Sequence, residues 1–341
     1  MIFSVSDREF YKRTLVIYFF NTKLSKCYHL FMKDLSVTTF DQEIGGLDLP
    51  DLKYFSDSAA LSEVIVYFRS NNSSIAAVGD QTDLKGILTE WDVVHQFSPN
   101  FDPKDVKAID FIIDEPVVLE STNTLFEVMN KMGRRSFSSF PVKGADGKIG
   151  KVFSTQTFFD FLYEHFKEFF EELGCLENWE ATKSIQAFTE GFNYSVSMED
   201  DSSLHQNYFL TPFERIPSGS IVKIDEEVKL KDAWELLLEK ECENLIVTRY
   251  GTKLVGILTL KDLIKKILIS EGEVDIGLPI KSFMTENPHS LMYKHPIGYA
   301  INHFKKFDYR HMIIVDEDRV PLKVVSLLEI FSHLIAKLKL N

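Results

Sequence analysis

The run GILT, followed by two variable residues and Asp, is written twice in this chain. It stands in DLKGILTEWDVV (83–94) and in KLVGILTLKDLI (253–264). Two weaker copies exist. GKVFSTQTFFDFL (150–162) has Ser154 in place of Thr and Thr157 in place of Asp; LKVVSLLEIFSHL (322–334) has Ser326 and Glu329 there. The anchors Thr89, Ser154, Thr259 and Ser326 are 65, 105 and 67 residues apart. Two near-equal spacings flank a longer one, so the chain reads as two pairs of repeats with an insertion between the pairs. A length of 341 residues, at roughly 150 per domain, agrees with two domains.

Every repeat has the same grammar. A lead-in precedes an amphipathic helix: AALSEVIVYF (59–68), NTLFEVMNKM (123–132), VKLKDAWELLLEK (228–240) and PIGYAINHFKKF (296–307). A β-rich strand follows: SIAAV (74–78), FPV (140–142), NLIVT (244–248) and MIIVD (312–316). A turn, a second strand carrying the motif and a second helix complete a β-α-β-β-α unit of α/β (α+β) class. One such unit leaves a sheet face bare, so units should pair. In the insertion, FFDFLYEHFKEFFEELG (158–174) has apolar residues at 158, 159, 162, 166, 169, 170 and 173, a helical stripe ending at Gly174. The polar run 195–206 reads as a linker. The expected organisation is an N-terminal extension (1–32), a first pair (33–162), an insertion that docks a partner or braces the pairs (163–210) and a second pair (211–341). The apolar run Leu15–Phe20 after Lys12-Arg13 is too short for a membrane span, which needs about 20 residues, and lacks a cleavage site. It reads as a strand or as sequence upstream of a start at Met32, a choice that the intact mass of the native protein would settle.

Composition narrows the function classes. A net charge of −13 disfavours nonspecific nucleic-acid binding, which needs Lys and Arg on phosphates. Three widely spaced cysteines, Cys27, Cys175 and Cys242, with no CxxC, argue against a disulfide framework or zinc and for a cytoplasmic protein. His289, His295, His303 and His311 fall on different elements and make no metal site; the acidic run Glu199-Asp200-Asp201 reads as solvated linker. No GxSxG, Walker loop or GxGxxG occurs, so no catalytic constellation is expected. The 29 Phe residues are assigned to cores and subunit contacts, and a homodimer is one way to use them.

The motif itself admits two readings. Thr-x-x-Asp before an apolar helical run is a capping box, with Thr accepting from a first-turn N–H and Asp reaching back. The same corner also offers free N–H donors and a positive dipole end to a phosphate. Asp92 and Asp262 are placed to accept from the vicinal hydroxyls of a ribose, and Gly86 and Gly256 let a flat group approach the strand.

GILTEWD (86–92) and GILTLKD (256–262) resemble the signature of the CBS-domain family: Gly, two apolar residues, Ser/Thr, two variable residues, Asp. KSFMTENPHSL (281–291) is similar to that family's opening turn, and AIDFIIDEPVVL (108–119) is a looser copy. The resemblance implies disc-like Bateman modules whose clefts hold adenine nucleotides (AMP, ADP or ATP), S-adenosylmethionine or cyclic dinucleotides, with no metal required. It implies a regulatory, non-enzymatic protein acting on an unknown protein partner. Carried over, Thr89 and Asp92 would hold ligand in the first module, and Thr259 and Asp262 in the second. Thr157, Glu329, Lys151 and Lys323 depart from the pattern, so the second copies are expected to be mainly structural. Some family members carry His-Arg between the first helix and the following strand, where those residues reach phosphate. Arg134-Arg135 and Arg310-His311 stand there in this chain, in a different order. The competing reading is a ligand-free scaffold in which every Ser/Thr-x-x-acid is only a cap.

Overall fold

The computed structural model describes residues 35–36, 40–71, 73–96, 103–112, 115–135, 138–168, 170–171, 203–204, 206–217, 221–266, 268, 274–307 and 310–339. Leu15–Phe20, Lys12-Arg13, Met32, Glu199-Asp200-Asp201, Cys27 and Cys175 lie outside them. A short strand β1 (Leu35–Ser36) comes first. The first repeat follows as β2 (Tyr54–Phe55), α1 (Leu61–Asn71), β3 (Ile75–Gly79), β4 (Leu84–Thr89) and α2 (Glu90–Gln96). The second is β5 (Leu119–Glu120), α3 (Leu125–Arg135), β6 (Ser139–Lys143), β7 (Ile149–Ser154) and α4 (Thr155–His165). After β8 (Ser203–Leu204), which pairs antiparallel with β1, the third repeat is β9 (Lys223–Asp225), α5 (Leu230–Glu239), β10 (Asn244–Arg249), β11 (Lys253–Thr259) and α6 (Leu260–Lys266). The fourth is preceded by β12 (Thr285–Glu286) and runs β13 (Ser290–Met292), α7 (Ile297–Phe307), β14 (His311–Val315), β15 (Pro321–Ser326) and α8 (Leu327–Lys339). All four repeats thus carry the β-α-β-β-α order. In each, the first strand pairs parallel and the third antiparallel to the middle one.

The sequence explains these elements locally. Helix α1 buries Leu61, Val64, Ile65 and Phe68; α5 buries Leu230, Ala233, Trp234 and Leu237. Both follow the i, i+3, i+4, i+7 spacing of a one-sided helix. The middle strands do not alternate: Ile75 to Val78 and Leu245 to Thr248 are buried throughout. A continuous apolar strand is what a sheet covered on both faces requires.

What covers those faces sets the architecture. Sheet packs on sheet within each pair: Leu52, Ile75 and Ala77 meet Val152, and Ile246, Leu254 and Ile257 meet Ile313, Val315 and Val324. The helices face the other way and bind the two pairs together. Helices α1 and α2 of the first repeat pack on α6 of the third, while α3 and α4 of the second pack on α8 of the fourth. Phe158 and Phe331 meet edge-on there, with ring centroids 4.6 Å apart. The Phe-rich faces therefore close against each other within one chain. The insertion joins this seam at both of its ends. Phe166 and Phe170 are buried against Phe209. Asn302 donates to the Phe170 carbonyl at 2.9 Å, and the Tyr208 hydroxyl pairs with His333 Nδ1 at 2.8 Å.

Within each pair the lead-in segments cross over. The lead-in of the first repeat bonds to β7 of the second, Leu52 N–H to Gly150 O at 2.9 Å and Val152 N–H to Pro50 O at 3.0 Å. The lead-in of the fourth adds β12 to β11 of the third, with Glu286 opposite Gly256. This crossing accounts for the motif glycines. A Cβ on Gly86 would stand 2.4 Å from Ile112 Cγ2, and one on Gly256 2.2 Å from Met284 Sδ. The surface that the sequence reading left bare for a flat ligand is covered by the chain's own lead-ins. At the equivalent places in the second and fourth repeats the lysines hold the lead-ins by charge. Lys151 Nζ pairs with Asp51 at 2.7 Å. Lys323 Nζ donates to Phe213 O at 2.5 Å and Ile216 O at 2.6 Å, and its burial lowers its pKa.

Gly256→Ala should therefore destabilise the protein by about 1–3 kcal/mol through overpacking. In a Met284→Ala background the same change should cost less, the difference being the coupling of the two positions. Urea unfolding of the wild-type protein and the three variants measures it; equal costs in both backgrounds would show that Met284 is not what requires the glycine.

Candidate functional site

At all four repeats the motif is a closed capping box. Thr89 donates from N and Oγ1 to Asp92 Oδ2 at 2.7 and 2.6 Å, and Asp92 N–H returns to Thr89 Oγ1 at 3.3 Å. Thr259 does the same with Asp262 at 3.0, 2.7 and 3.2 Å. Ser154 and Thr157 cap reciprocally. Ser326 donates to Glu329 Oε2 at 2.7 and 3.0 Å, and Glu329 N–H returns at 3.1 Å. Each Ser or Thr satisfies a first-turn amide and each acid satisfies the amide at the corner. The threonine hydroxyl proton thus goes to its own aspartate rather than to a guest.

The corners differ in what remains. Asp92 is half-buried and uses Oδ2 alone in its cap. Asp262 is 8% exposed, and its Oδ1 takes Lys266 Nζ at 2.9 Å and Thr285 Oγ1 at 3.1 Å. Both oxygens of Asp262 are engaged, so a ribose would have to displace Lys266 or Thr285. Glu329 keeps all three cap bonds on Oε2.

One cleft lies at that fourth corner. It is a shallow depression of about 170 Å³, open to solvent, between the third and fourth repeats. Ile221, Val222 and Val324 make an apolar wall; Glu243, His311, Ser326 and Glu329 supply polar edges. The site reading placed ligand at Thr259 and Asp262 and treated Ser326 and Glu329 as structural. The cleft is at the latter. His311 does reach it: Nε2 lies 3.1 Å from Glu243 Oε2. This contact is the main cause holding the Glu243 carboxyl below its usual range. Arg310 pairs at 2.9 Å with Glu90 at the start of α2 in the first repeat, and its charge is a further, smaller cause holding the Glu243 carboxyl down. Arg135 ends α3, and its side chain lies outside the described residues. Glu90 and Glu243 carry no local sequence signal. Glu90 stands at a variable position of its motif and Glu243 outside any, and their partners are 220 and 68 residues away.

Cys242, also in the cleft lining, is half-buried with a thiol raised by desolvation. Among the described residues no group of three His, Cys, Asp or Glu could hold a metal ion. No helix among them is long and apolar enough to cross a membrane.

Repeats that pair sheet to sheet, exchange lead-ins and cap a second helix with Ser/Thr-x-x-acid match a known family model. The model described as CBS domain fits residues 214–269 and 280–336, the third and fourth repeats. The third and fourth repeats are CBS domains. No curated protein matches the chain. Among solved structures, protein MJ1225 from Methanocaldococcus jannaschii, suggested to be an archaeal homologue of g-AMPK, superposes with a TM-score of 0.62 at 12% identity. The alignment covers 88% of this chain and 100% of that one. An uncharacterised conserved protein from Pyrococcus horikoshii does so with a TM-score of 0.52 at 12% identity, over 86% and 100%. These likenesses establish the fold for the first two repeats as well. The CBS domain pair of protein MJ0100, solved with 5'-methylthioadenosine and S-adenosyl-L-methionine, aligns with 37% of this chain and 97% of its own at 23% identity. Its TM-score of 0.33 is too low to carry an argument about this chain.

The cap chemistry predicts a graded response. Asp92→Asn should cost about 1 kcal/mol, the worth of a cap. Asp262→Asn should cost more, about 2 kcal/mol, because the buried Asp262 carboxylate also accepts from Lys266 and Thr285 through its other oxygen. Thermal unfolding of both variants checks this. Equal losses would mean that the Lys266 and Thr285 contacts contribute nothing.

Proposed function

We propose that this protein is regulatory and non-catalytic, and that it binds an adenosyl ligand in the cleft between its third and fourth repeats. The observation that carries the reading is the meeting of His311 with the Ser326–Glu329 corner beside an apolar wall. A base fits against Ile221, Val222 and Val324. Glu329 Oε1, outside the cap, is the acceptor for ribose hydroxyls. AMP, ADP, ATP, S-adenosylmethionine and cyclic dinucleotides are the compounds to test. Occupancy would tie the two repeats together and bias their contact with a protein partner. The functional modules on this reading are 33–162 and 211–341, bridged by 163–210, in a cytoplasmic protein. Homodimerisation would need a surface other than the helix faces already joined within the chain.

A second reading is favoured by a separate observation. At Thr89 and Thr259 the boxes are closed, and Ile112 and Met284 cover the glycines. A protein whose corners are all caps is a scaffold for assembly.

Thermal unfolding with each compound distinguishes the two. Ligand at 100 times its Kd should add about 2.7 kcal/mol, a rise of several degrees in Tm. Glu329→Gln and His311→Ala should reduce the rise, whereas Asp262→Asn should leave it. A Tm indifferent to every compound supports the scaffold, and turnover of any of them would point to an enzyme.

A further inference from the structure

The charges around the cleft are unevenly distributed, and this bears on what kind of adenosyl compound it takes. Two carboxylates line it, Glu243 and Glu329, against one imidazole, His311. Three cationic side chains adjoin lining residues in sequence. Lys223, beside Val222, is exposed and is not part of the lining; the other two are held by partners within the protein. The Lys323 ammonium donates to the Phe213 and Ile216 carbonyls. The Arg310 guanidinium, next to His311, is held at 2.9 Å by Glu90 Oε2, whose side chain is only 9% exposed. Glu90 reaches it from the other half of the molecule, at the first turn of α2. The Glu90 carboxylate on Nη1 takes one of the guanidinium donors that a phosphate would use and neutralises its charge. To recruit that arginine, a phosphate must leave Glu90 buried without its partner, which is costly.

We propose that Glu90 is a specificity-determining residue: by holding Arg310 it makes the cleft select an uncharged or cationic adenosyl compound over a phosphorylated one. The inference rests on the ligand site proposed above and adds the chemical class of its occupant. A ribose meets Glu329, a neutral or positive 5' substituent meets Glu243, and a 5'-phosphate finds acids where it needs bases.

Calorimetric titration of the full chain with adenosine, S-adenosylmethionine and AMP tests it. Wild-type protein should bind the first two at least about ten-fold more tightly than AMP. Glu90→Gln, which keeps the shape and frees the guanidinium, should raise AMP affinity about ten-fold and leave adenosine unchanged. Adding Arg310→Gln should cancel that gain. The inference is overturned if wild-type protein prefers AMP, or if Glu90→Gln leaves the AMP-to-adenosine ratio where it was while adenosine still binds. Should none of the three bind wild-type protein that unfolds cooperatively, the ligand site itself is refuted and the selectivity with it. The wild-type preference is measurable even if the variants fold poorly.

Discussion

The exchange of lead-in segments between paired repeats holds the rest of the molecule in place. It adds backbone hydrogen bonds to the motif strands, as at Leu52–Gly150 and Val152–Pro50, and sets the register between the sheets. It also fixes the chemistry allowed at one position in every motif. Where the incoming side chain is Ile112 or Met284, only glycine leaves room. Where the incoming groups are Asp51 or the Phe213 and Ile216 carbonyls, a lysine reaches across to satisfy them. Glycine and lysine are thus two answers to one steric question. The lysines that look like departures from a ligand motif are structural partners of the crossing chain.

Pairing by sheets leaves helices on the outer faces, and their stripes are apolar. A single pair would expose α2, α3 and α4 with Phe158 and Phe159 on them; the second pair covers them. The core therefore does not stop at a module boundary. One apolar cluster runs through the second and fourth repeats and another through the first and third. Burial of this kind, at about 25 cal/mol per Å² of apolar surface, joins the two pairs through continuous apolar clusters.

Much of this was legible in the sequence, because the relevant signals are local. Four motif copies with spacings of 65, 105 and 67 revealed the repeat number and the insertion. The 3.6-residue stripes of α1 and α5 and the unbroken apolar strands gave the element order. Less legible was anything decided between distant segments. Gly86 and Gly256 read as clearance for a ligand, since nothing beside them in the chain points to Ile112 or Met284. The likeness between the Phe111-Ile112 and Phe283-Met284 pairs was the available clue. The carboxylates of Glu90 and Glu243 sit at variable positions, and only folding brings them to Arg310 and His311. The cleft likewise lies by the motif copy that departs from the pattern. A signature scores residue types, while free volume depends on what the other repeat contributes.

Repeat equivalence casts the diagonal ion pair in another light. By strand register, Ser326 faces His311 as Thr259 faces Asn244 and Ser154 faces Ser139. Arg310 therefore corresponds to Ser138 in the second repeat, and Glu90 corresponds to Leu260 in the third. Were the two halves separate copies around a twofold axis, any acid on one side would have to recur on the other. Fusion into one polypeptide lifts that demand for self-complementarity. The seam places one acid and one base where each is wanted, and an apolar or small residue at the mirror positions, so the halves are free to diverge.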